Sequence, residues 1–362
     1  MEGNKARTVL ITGGAGFIGS NLAERLLQTP DTHVRIFDNQ SRAGVARNIA
    51  WLKSKAHGNL EVLEGDVRNP EAVRAAVDGV SEIYHFAAQV AVTTSVDDPG
   101  LDFQVNAIGT FNVLEAARKS RLKPFMLYTS TNKVYGALES VPVVAQGTRY
   151  QAKDPLFRGV TEKQCLDFHS PYGCSKGTAD QYVRDYARIY DLPAVVFRMS
   201  CIAGPRQFGN EDQGWVAHFL YSALTGKRIT IYGDGLQVRD ILHVHDLIDA
   251  MVRVREQSAS TRGQIFNVGG GPQRSFSVME MLHAIEEVTG KTVRLEHREV
   301  RPGDQPLYIS DTSKLELLTG WKPRRELTTI LSDIREFWRE KNQQAESHRL
   351  VGARGAALGE VA

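Results

Sequence analysis

The chain has 362 residues, of which 42% are hydrophobic and 24% are charged, and its formal net charge is +2. This length predicts one large or two intimate domains, and the near-neutral charge balance gives no footprint for nucleic acid. No apolar run reaches the roughly 18 residues that span a bilayer, and three cysteines without a C-x-x-C pair are typical of a reducing compartment. We therefore expect a cytoplasmic protein with neither a nucleic-acid nor a membrane partner.

Strands and helices alternate along the first 200 residues. Short apolar runs rich in β-branched residues predict strands at Thr8–Thr12, Val34–Asp38, Leu60–Leu63, Ile83–Phe86, Phe125–Thr129 and Ala194–Arg198. Helices are predicted between them at Phe17–Gln28, Ala43–Lys53, Pro70–Val77, Val105–Lys119 and Tyr172–Tyr190. This alternation indicates an α/β fold with a doubly wound parallel sheet of the Rossmann type, whose ligands bind beyond the carboxyl ends of the strands.

The regularity weakens after residue 199. We expect residues 1–199 plus about 236–261 to form the Rossmann domain. About 200–235 plus 262–342 are expected to form a smaller, mixed domain that covers the substrate. Residues 343–362 have little periodicity and are predicted to be a flexible tail.

A glycine-rich turn follows the first predicted strand. Gly13, Gly16 and Gly19 form a G-x-x-G-x-x-G pattern that opens the first helix together with Phe17 and Ile18. Glycines let backbone N–H groups approach a pyrophosphate, and the helix N-terminus favours its negative charge. A glycine pattern alone also occurs in ordinary strand-to-helix turns, but its place between a strand and a helix favours a dinucleotide site.

Acidic residues follow the second and third strands. Asp38 ends the second strand, where a carboxylate can accept hydrogen bonds from the adenosine ribose and repel a 2′-phosphate, so NAD is favoured over NADP. Arg42 could bind such a phosphate, but we interpret it as a solvated loop residue. Asp66 either contacts the adenine edge or is a turn residue. Asn39 and Val67, which follow the two acids directly, are also predicted to contact the cofactor.

Tyr172 and Lys176 form a Tyr-x-x-x-Lys pair on a predicted helix, where positions i and i+4 share a face. An ammonium group beside a phenol favours the phenolate, so we expect Lys176 to lower the pKa of Tyr172. The pair alone is common by chance. It becomes informative beside the glycine motif and the hydroxyls of Ser130 and Thr131, which end the fifth strand and can hydrogen-bond the oxygen whose proton Tyr172 takes.

These motifs together resemble the extended short-chain dehydrogenases/reductases over about residues 8–321, including His85–Gln89 after the fourth strand. The resemblance implies an NAD-dependent enzyme that modifies a nucleotide sugar. It also implies Tyr172 as the acid/base, Lys176 on the nicotinamide ribose and Thr131, next to Ser130, as the hydroxyl partner. Further cofactor contacts are implied at Ala87, Ala88, Gln89 and Asn106.

The same resemblance implies residues for the substrate. Arg239 and Arg301 would hold its phosphates, because arginine offers charge and forked donors, and Asp304 would hold its nucleotide ribose. His169 either touches the sugar or hydrogen-bonds the backbone at a helix entry. Trp215 either stacks on the base or sugar or packs in the core. Further expected substrate contacts are Asn132, Lys133 and Gln207.

The residues after Thr131 distinguish reactions within the family. Dehydratases resemble one another in an Asp-Glu pair at this place, and decarboxylases in a Glu at the second position, whereas this chain has Asn132 and Lys133. Neither is a carboxyl acid. An epimerase needs only the transient oxidation of one sugar carbon, for which the tyrosine and NAD suffice. An epimerase is therefore the favoured member.

A closer resemblance to the CDP-paratose 2-epimerases, also called CDP-tyvelose epimerases, lies in longer segments: 130–136, 166–176, 204–208 and 212–216. It implies inversion at C2 of a CDP-hexose through a keto intermediate. A UDP-hexose 4-epimerase using the same residues remains an alternative, as does a non-catalytic NAD-binding regulatory protein.

Two expectations concern partners. The family resemblance implies a homodimer or homotetramer that packs through the helices Val105–Lys119 and Tyr172–Tyr190. His243 and His245 flank one residue and could face the same side of a strand, but no further ligands converge on them in the sequence. We expect no metal site and interpret both histidines as packing or loop residues.

Overall fold

The computed structural model describes residues 7–301 and 303–359. The strands of these ranges are β1 (Arg7–Thr12), β2 (Thr32–Asp38), β3 (Leu60–Glu64), β4 (Glu82–His85), β5 (Phe125–Thr131), β6 (Val143–Gln146), β7 (Arg149–Ala152), β8 (Ala194–Met199), β9 (Cys201–Ala203), β10 (Arg228–Tyr232), β11 (Val238–His243), β12 (Ile265–Val268), β13 (Ser275–Ser277), β14 (Arg294–Arg298) and β15 (Leu307–Tyr308).

The helices lie mostly between these strands. They are α1 (Phe17–Leu27), α2 (Val45–Lys55), α3 (Pro70–Val77), α4 (Val92–Asp97), α5 (Pro99–Phe103), α6 (Gly109–Lys119), α7 (Pro171–Ile189), α8 (Trp215–Thr225), α9 (Val244–Glu256), α10 (Ser258–Thr261), α11 (Val278–Thr289), α12 (Ser313–Thr319) and α13 (Leu327–Gly359). A π-helical turn (Gln104–Ile108) joins α5 to α6, and a 3₁₀ turn (Asn132–Tyr135) follows β5.

The core of the molecule is a seven-stranded sheet in the order β3-β2-β1-β4-β5-β8-β12, and every pair in it is parallel. Apolar side chains of α1, α2 and α9 cover one face of this sheet, and those of α3, α6 and α7 cover the other. Burial on both faces explains why these strands read as nearly continuous apolar runs. The predicted doubly wound α/β fold is confirmed.

Two features differ from the sequence prediction. The seventh strand, β12, comes from the segment assigned to the substrate domain, because its four buried residues are too short a run to be distinguished from a loop. The helix predicted to start at Val105 instead continues a helical stretch from Pro99, with the π turn between.

The segment predicted to be a tail, 343–362, has a helical backbone as far as Gly359, and its Glu, Gln, Ala and Arg residues favour helix. Its flexibility stays a prediction, and the last three residues lie outside the described ranges.

The rest of the chain builds a second, smaller layer. β10 pairs with β14, while β11 lies among β9, β13 and β15. Helices α8, α11 and α13 pack their apolar faces together around Leu220, Ile285 and Ile334. No helix among the described residues has both the length and the apolar character to cross a membrane. This layer faces the carboxyl ends of the main strands and leaves a cleft between them.

A buried ion pair fixes α7 to the sheet. The Arg198 guanidinium of β8 donates to both carboxylate oxygens of Asp180 in α7, at 2.8 and 2.9 Å, and both side chains are almost fully buried. Arg198 also donates to the Tyr135 hydroxyl at 3.1 Å, and that hydroxyl donates to Asn267 of β12 at 2.7 Å. The network therefore ties α7, β8, β12 and the 3₁₀ turn after β5 together.

We predict that Asp180→Ala lowers the free energy of unfolding by about 3–5 kcal/mol, because it leaves the Arg198 charge buried without its partner. The matched control is Glu287→Ala, which removes an exposed ion pair with His283 on α11 and leaves stability essentially unchanged. Chemical denaturation of the two variants measures the difference. Equal stability of the two variants would contradict the role given to the buried pair.

Candidate active site

One cavity of about 1340 Å³ opens at the carboxyl ends of the parallel strands, between the sheet and the smaller layer. It gathers the predicted site residues from positions far apart in the chain. Those that line it are Gly13, Gly16, Phe17, Ile18, Gly19, Asp38, Asn39, Asp66, Val67, Ala87, Ala88, Gln89, Ser130, Thr131, Asn132, Lys133, His169, Tyr172, Lys176, Gln207, Trp215, Arg239, Arg301 and Asp304. A single ligand pocket usually measures about 300–1,000 Å³, so this cavity has room for two ligands side by side.

The glycine turn after β1 is a tight backbone cradle. Gly13 has a φ of +67°, and a Cβ there would lie 2.7 Å from the Ala87 backbone nitrogen. A Cβ at Gly19 would lie 2.5 Å from the Gly13 carbonyl oxygen. Helix α1 begins after Gly16, and no side chain caps its first turn. The uncapped N–H groups and the close backbone packing fit a pyrophosphate held at this helix end.

The acid that ends β2 is fixed by backbone groups of two loops. Asp38 accepts hydrogen bonds from the N–H of Ala15 at 3.1 Å and of Gln40 at 2.8 Å. Burial raises the pKa of Asp38, and these two hydrogen bonds oppose the rise. Asp38 thus lies beside the glycine cradle, where an adenosine ribose hydroxyl would meet a carboxylate acceptor.

The second acid has partners of its own. Asp66 accepts two hydrogen bonds from the Arg68 guanidinium, at 2.9 and 2.8 Å, and a third from the Asn39 amide at 2.9 Å. The Arg68 hydrogen bonds hold the pKa of Asp66 well below its usual range. Asp66 also accepts a hydrogen bond from the Arg68 N–H at 2.9 Å, and its carbonyl accepts one from the Asn69 N–H at 3.0 Å. It is therefore an anchored, ionised turn residue at the cavity wall, and its contact with the adenine edge stays a prediction.

Asn106, predicted to contact the cofactor, does not line the cavity. Its side-chain oxygen accepts from the Gln89 N–H at 2.9 Å, and its amide donates to the Gln89 carbonyl at 3.0 Å. The π turn that carries Asn106 buries it behind this segment. The prediction of a direct contact is therefore wrong, because Asn106 fixes the backbone of a lining residue instead.

Tyr172 and Lys176 lie on the first turns of α7, and both are at least nine-tenths buried. The Lys176 ammonium donates to the Thr129 carbonyl at 2.7 Å and lies 4.3 Å from the centroid of the Tyr128 ring. Burial lowers the pKa of Lys176 to about 7. The lysine is thus balanced between its charged and neutral forms near neutral pH.

The acidity of Tyr172 differs from the expectation. Burial raises its pKa to about 12, and the charge of Asp102 adds to the rise, while Thr131 and the charge of Arg42 oppose it. The pKa of Tyr172 is therefore raised and not lowered as expected. The Lys176 ammonium is directed at the Thr129 carbonyl, and desolvation of the phenolate outweighs the nearby charges.

The hydroxyls after β5 have different surroundings. Thr131 accepts a hydrogen bond from the Lys133 N–H at 3.2 Å and hydrogen-bonds Tyr172. The buried Ser130 hydroxyl has no hydrogen-bond partner among the described residues. Since a buried polar group without a partner is costly, the Ser130 hydroxyl is suited to receive a ligand in the cavity.

Charged side chains converge on the substrate side of the cavity. Asp304 forms ion pairs with Arg239 at 2.6 Å and with Lys133 at 3.4 Å. Burial opposes ionisation of Asp304, but these two cations outweigh it and lower its pKa. Arg301 lies 3.8 Å from the centroid of the Tyr232 ring and 3.4 Å from the Asp212 carboxylate. Glu211, which accepts a hydrogen bond from the Tyr232 hydroxyl at 2.6 Å, is a third carboxylate here, so the three cations face three carboxylates.

The remaining predicted substrate residues are arranged around this group. Trp215 lines the cavity, and it also donates its indole N–H to Cys201 and packs edge-on against Phe219. Its contacts therefore fit both expected roles, stacking on a ligand and packing in the interior. The Gln207 amide donates to the Ile202 carbonyl, while its buried oxygen has no partner among the described residues. The imidazole of His169 pairs with the Asp167 carboxylate at 2.9 Å, and it makes no hydrogen bond to the backbone of the described residues.

Arg42 is an exposed loop residue, as the sequence suggested, but it also has contacts that the sequence did not indicate. It lines the cavity, interacts electrostatically with Asp38 and Tyr172, and hydrogen-bonds the Gln213 side chain in the loop before α8. The contact joins the Rossmann layer to the smaller layer across the cleft. In the sequence, this contact is indicated only by the position of Arg42 shortly after Asp38, because its partner Gln213 is 171 residues away.

His243, His245 and Asp333 approach one another closely enough to be considered as metal ligands, outside the cavity. However, both ring nitrogens of His243 have protein partners. Nδ1 accepts from the His245 N–H at 3.0 Å, which caps α9, and Nε2 lies 3.0 Å from the Asp333 carboxylate. Helix capping and this pairing account for the cluster without an ion.

Comparison with known proteins places the chain among enzymes with this architecture. It matches the family described as GDP-mannose 4,6 dehydratase over residues 10–334. The chain belongs to this family. Membership confirms the resemblance to the extended short-chain dehydrogenases/reductases.

Three relatives illustrate the range of the family. The chain is 42% identical over 323 residues to the CDP-paratose 2-epimerase of Salmonella typhi, covering 87% of this chain and 94% of that protein. It is 31% identical over 335 residues to the UDP-glucose 4-epimerase of Mycolicibacterium smegmatis, covering 92% and 99%. The structure of the UDP-glucuronic acid 4-epimerase from Bacillus cereus with UDP-glucuronic acid and NAD matches with a TM-score of 0.79 and 26% identity, covering 92% and 99%.

We predict that Gly13→Ala weakens NAD binding more than about tenfold, because the new Cβ would displace the backbone at Ala87. Gly79→Ala is the matched control, since Gly79 has a similar φ of +71° but nothing within 4 Å of a new Cβ. Both variants share the left-handed strain of about 1–2 kcal/mol. Isothermal titration with NAD separates the two effects, and equal affinities in the two variants would contradict the cradle.

Proposed function

We propose that this protein is an NAD-dependent epimerase that inverts C2 of a CDP-hexose, of the CDP-paratose to CDP-tyvelose type, through a transient 2-keto sugar. The observation that carries the proposal is the pair Asn132 and Lys133 next to Thr131, with the contacts that each makes. Identity of 42% to the Salmonella typhi enzyme supports the nucleotide and the carbon. The cavity fits a dinucleotide at the glycine cradle and a nucleotide sugar beside it.

The surroundings of Thr131 argue against removal of water from the sugar. The Asn132 amide donates to Gln305 at 3.3 Å, and Lys133 pairs with Asp304. Elimination of water needs an acid for the leaving hydroxyl and a base for the departing proton. Asn132 cannot supply either, and the lowered pKa of Asp304 makes it a poor proton donor. Inversion of one carbon needs no such pair.

The cofactor residues of this proposal are those of the cradle and the two strand-end acids. The turn Gly13–Gly19 would hold the pyrophosphate, and Asp38 the adenosine ribose, with Lys176 reaching the nicotinamide ribose. The cofactor held by these residues would supply reversible hydride transfer at the sugar carbon.

The protein's own chemistry is transfer of the hydroxyl proton. Tyr172 would take the proton of the sugar O2, while Thr131 and Ser130 orient that oxygen by hydrogen bonds. The unpartnered Ser130 hydroxyl supports this assignment. Because the Tyr172 pKa of about 12 opposes ionisation, the reaction depends on positive charge near the phenol. Arg42 contributes such a charge, and Lys176 would add to it in its charged form. When the 2-keto sugar is reduced again, Tyr172 would return the proton to O2, which reverses the same transfer.

The arginines on the substrate side would bind the pyrophosphate of the sugar nucleotide. Arg239 and Arg301 offer charged, forked donors, and Asp304 remains as an acceptor for a ribose hydroxyl. An anchor at the nucleotide end leaves the hexose free to turn. Such rotation is required if the same face of the cofactor is to return the hydride to the opposite side of C2.

Product analysis tests the proposal directly. The purified protein is incubated with NAD and with CDP-paratose or UDP-glucose in separate reactions, and the sugars are followed by proton NMR. Formation of CDP-tyvelose supports the proposal. Conversion of UDP-glucose to UDP-galactose with CDP-paratose untouched would make the protein a UDP-hexose 4-epimerase, which the Mycolicibacterium smegmatis relative favours. Binding of NAD without turnover of either sugar would favour a regulatory protein.

We predict that Tyr172→Phe lowers kcat about 10²–10⁴-fold, because the phenylalanine cannot exchange a proton with the sugar oxygen. Binding of NAD and the circular dichroism spectrum should change little, since the ring remains buried. Tyr150→Phe is the control: it removes a hydroxyl that bonds Asp234 outside the cavity. A Tyr172→Phe enzyme that retains wild-type kcat would contradict the assignment of the acid/base.

We also propose a homo-oligomer that packs through α6 and α7. Their outer faces expose large apolar side chains, among them Phe111, Tyr182 and Ile189 at 40%, 48% and 66%. The rings of Phe111 and Tyr182 pack edge-to-face, 6.1 Å apart, and so join the two helices in one apolar surface. Exposed apolar surface of this kind is typical of an interface.

We predict a dimer or tetramer of the wild-type protein by light scattering and a monomer near 40.1 kDa for the double variant Phe111→Glu/Tyr182→Glu, because buried glutamates would lack partners. Leu317→Glu on α12 is the control, since Leu317 is 85% exposed away from these helices. A monomeric wild type, or an oligomer that survives the double substitution, would contradict this interface.

A further inference from the structure

A fully buried carboxylate lies behind α7, the helix that carries Tyr172 and Lys176. Asp102 of α5 accepts a hydrogen bond from the Ser175 hydroxyl at 2.5 Å and another from the Asn106 amide at 3.0 Å. The same amide lies 3.1 Å from the Ser175 oxygen. These three side chains form a closed polar network, in which Asp102 has no arginine or lysine within ion-pair distance in the described ranges.

The network contacts the turn of α7 that carries Tyr172 and Lys176, and it also contacts the cavity wall at Gln89. Ser175 lies between Tyr172 and Lys176 in α7, so its hydrogen bond to Asp102 holds the turn that carries them. Asn106 grips both backbone groups of Gln89 in the cavity wall. The π turn at 104–108 places Asn106 where it can reach Asp102 and Gln89 together, as such turns often do at functional sites.

The charge of Asp102 favours the charged form of Lys176 and also raises the pKa of Tyr172. Burial raises the pKa of Asp102 itself, and the Ser175 hydrogen bond, the Lys176 charge and the Asn106 amide oppose that rise. The charged or titratable groups facing Lys176 are Asp102 from α5, Asp180 and Tyr172 from α7, Tyr128 from β5 and His85 from β4. Burial keeps both tyrosines neutral and lowers the pKa of His85 to about 3, so the histidine is neutral too. Asp180 is bound to Arg198 through two hydrogen bonds. A carboxylate as deeply buried as Asp102 is stable only near a counter-charge.

We propose that Asp102 is a positioning residue for the reaction, which keeps Lys176 in its charged form and, through Ser175, fixes the turn of α7 that carries Tyr172 and Lys176. This inference rests on the proposed roles of those two residues in the epimerase chemistry. It assigns a function to a side chain that is not in the cavity wall and acts through another residue.

The sign of the effect follows from the charges. Burial favours neutral Lys176, and Asp102 opposes this by favouring the ammonium form. If the charge of Asp102 is removed, the pKa of Lys176 falls further, and the lysine is neutral over more of the working pH range. Activity that needs the ammonium is lost as pH rises through this pKa, so the basic limb of the pH–kcat profile moves to lower pH.

The test is a titration of Lys176 in the full-length protein. The chain is labelled with ε-¹³C lysine, the Lys176 signal is identified by its loss in Lys176→Met, and its shift is followed from acid to alkaline pH. Asp102→Asn removes the charge with little change in shape. Ser175→Ala is the matched control, which breaks the same network but keeps the carboxylate. Should Asp102→Asn fail to fold, Asp102→Ser removes the same charge with a smaller side chain.

We expect Asp102→Asn to lower the Lys176 midpoint by about one pH unit or more, while Ser175→Ala leaves it near the wild-type value. An unchanged midpoint in Asp102→Asn, or equal shifts in both variants, would overturn the proposal, because a merely structural role moves both alike. The pH–kcat profile on CDP-paratose gives the second reading. If the wild type does not turn over this sugar, the proposed function fails, yet the lysine titration still decides the effect of Asp102.

Discussion

The desolvation of one face of α7 is the constraint on which the site depends. Tyr172 and Lys176 are buried together at the edge of the sheet, where each is driven toward its neutral form. Acid–base chemistry at neutral pH then requires fixed charges close by. The fold places them on the side of α7 that faces away from the cavity. Asp180 is locked to Arg198, which holds α7 against β8, and Asp102 faces the lysine from α5. Position and protonation state are set by the same packing.

A second consequence concerns the division of labour across the cleft. The Rossmann layer presents the glycine cradle with the acids at the ends of β2 and β3, while the smaller layer presents arginines paired with carboxylates of its own. Arg42 crosses between them to Gln213 and is one of the contacts that close the cleft. Under the proposed function, the residues next to Thr131 decide which reaction follows sugar oxidation, and here Lys133 pairs with Asp304. A change of reaction would then need substitutions at two positions, with the cradle and the Tyr172–Lys176 pair unchanged.

The sequence predicted features that depend on local spacing. Strand-to-helix alternation, the turn at Gly13–Gly19, Asp38 and the Tyr172–Lys176 pair each have a signature within a few residues, and all were found in the expected elements. Features that depend on distant contacts were missed. Strand β12 is short, Arg42 meets its partner across the cleft, and Asp102 reaches Ser175 over 73 positions. The Tyr172 pKa was misjudged because burial, which dominates it, has no sequence signature.

The measurement that tests the central claim most directly follows the hydrogen at C2 during inversion. CDP-paratose carrying deuterium at C2 is incubated with the protein and NAD in ordinary water, and the product is analysed by NMR and mass spectrometry. The account predicts CDP-tyvelose that retains the deuterium at C2, because the hydride leaves and returns within the cavity without meeting solvent. Inversion with replacement of the label by solvent hydrogen would contradict it, since C2 would then be inverted by proton abstraction from carbon.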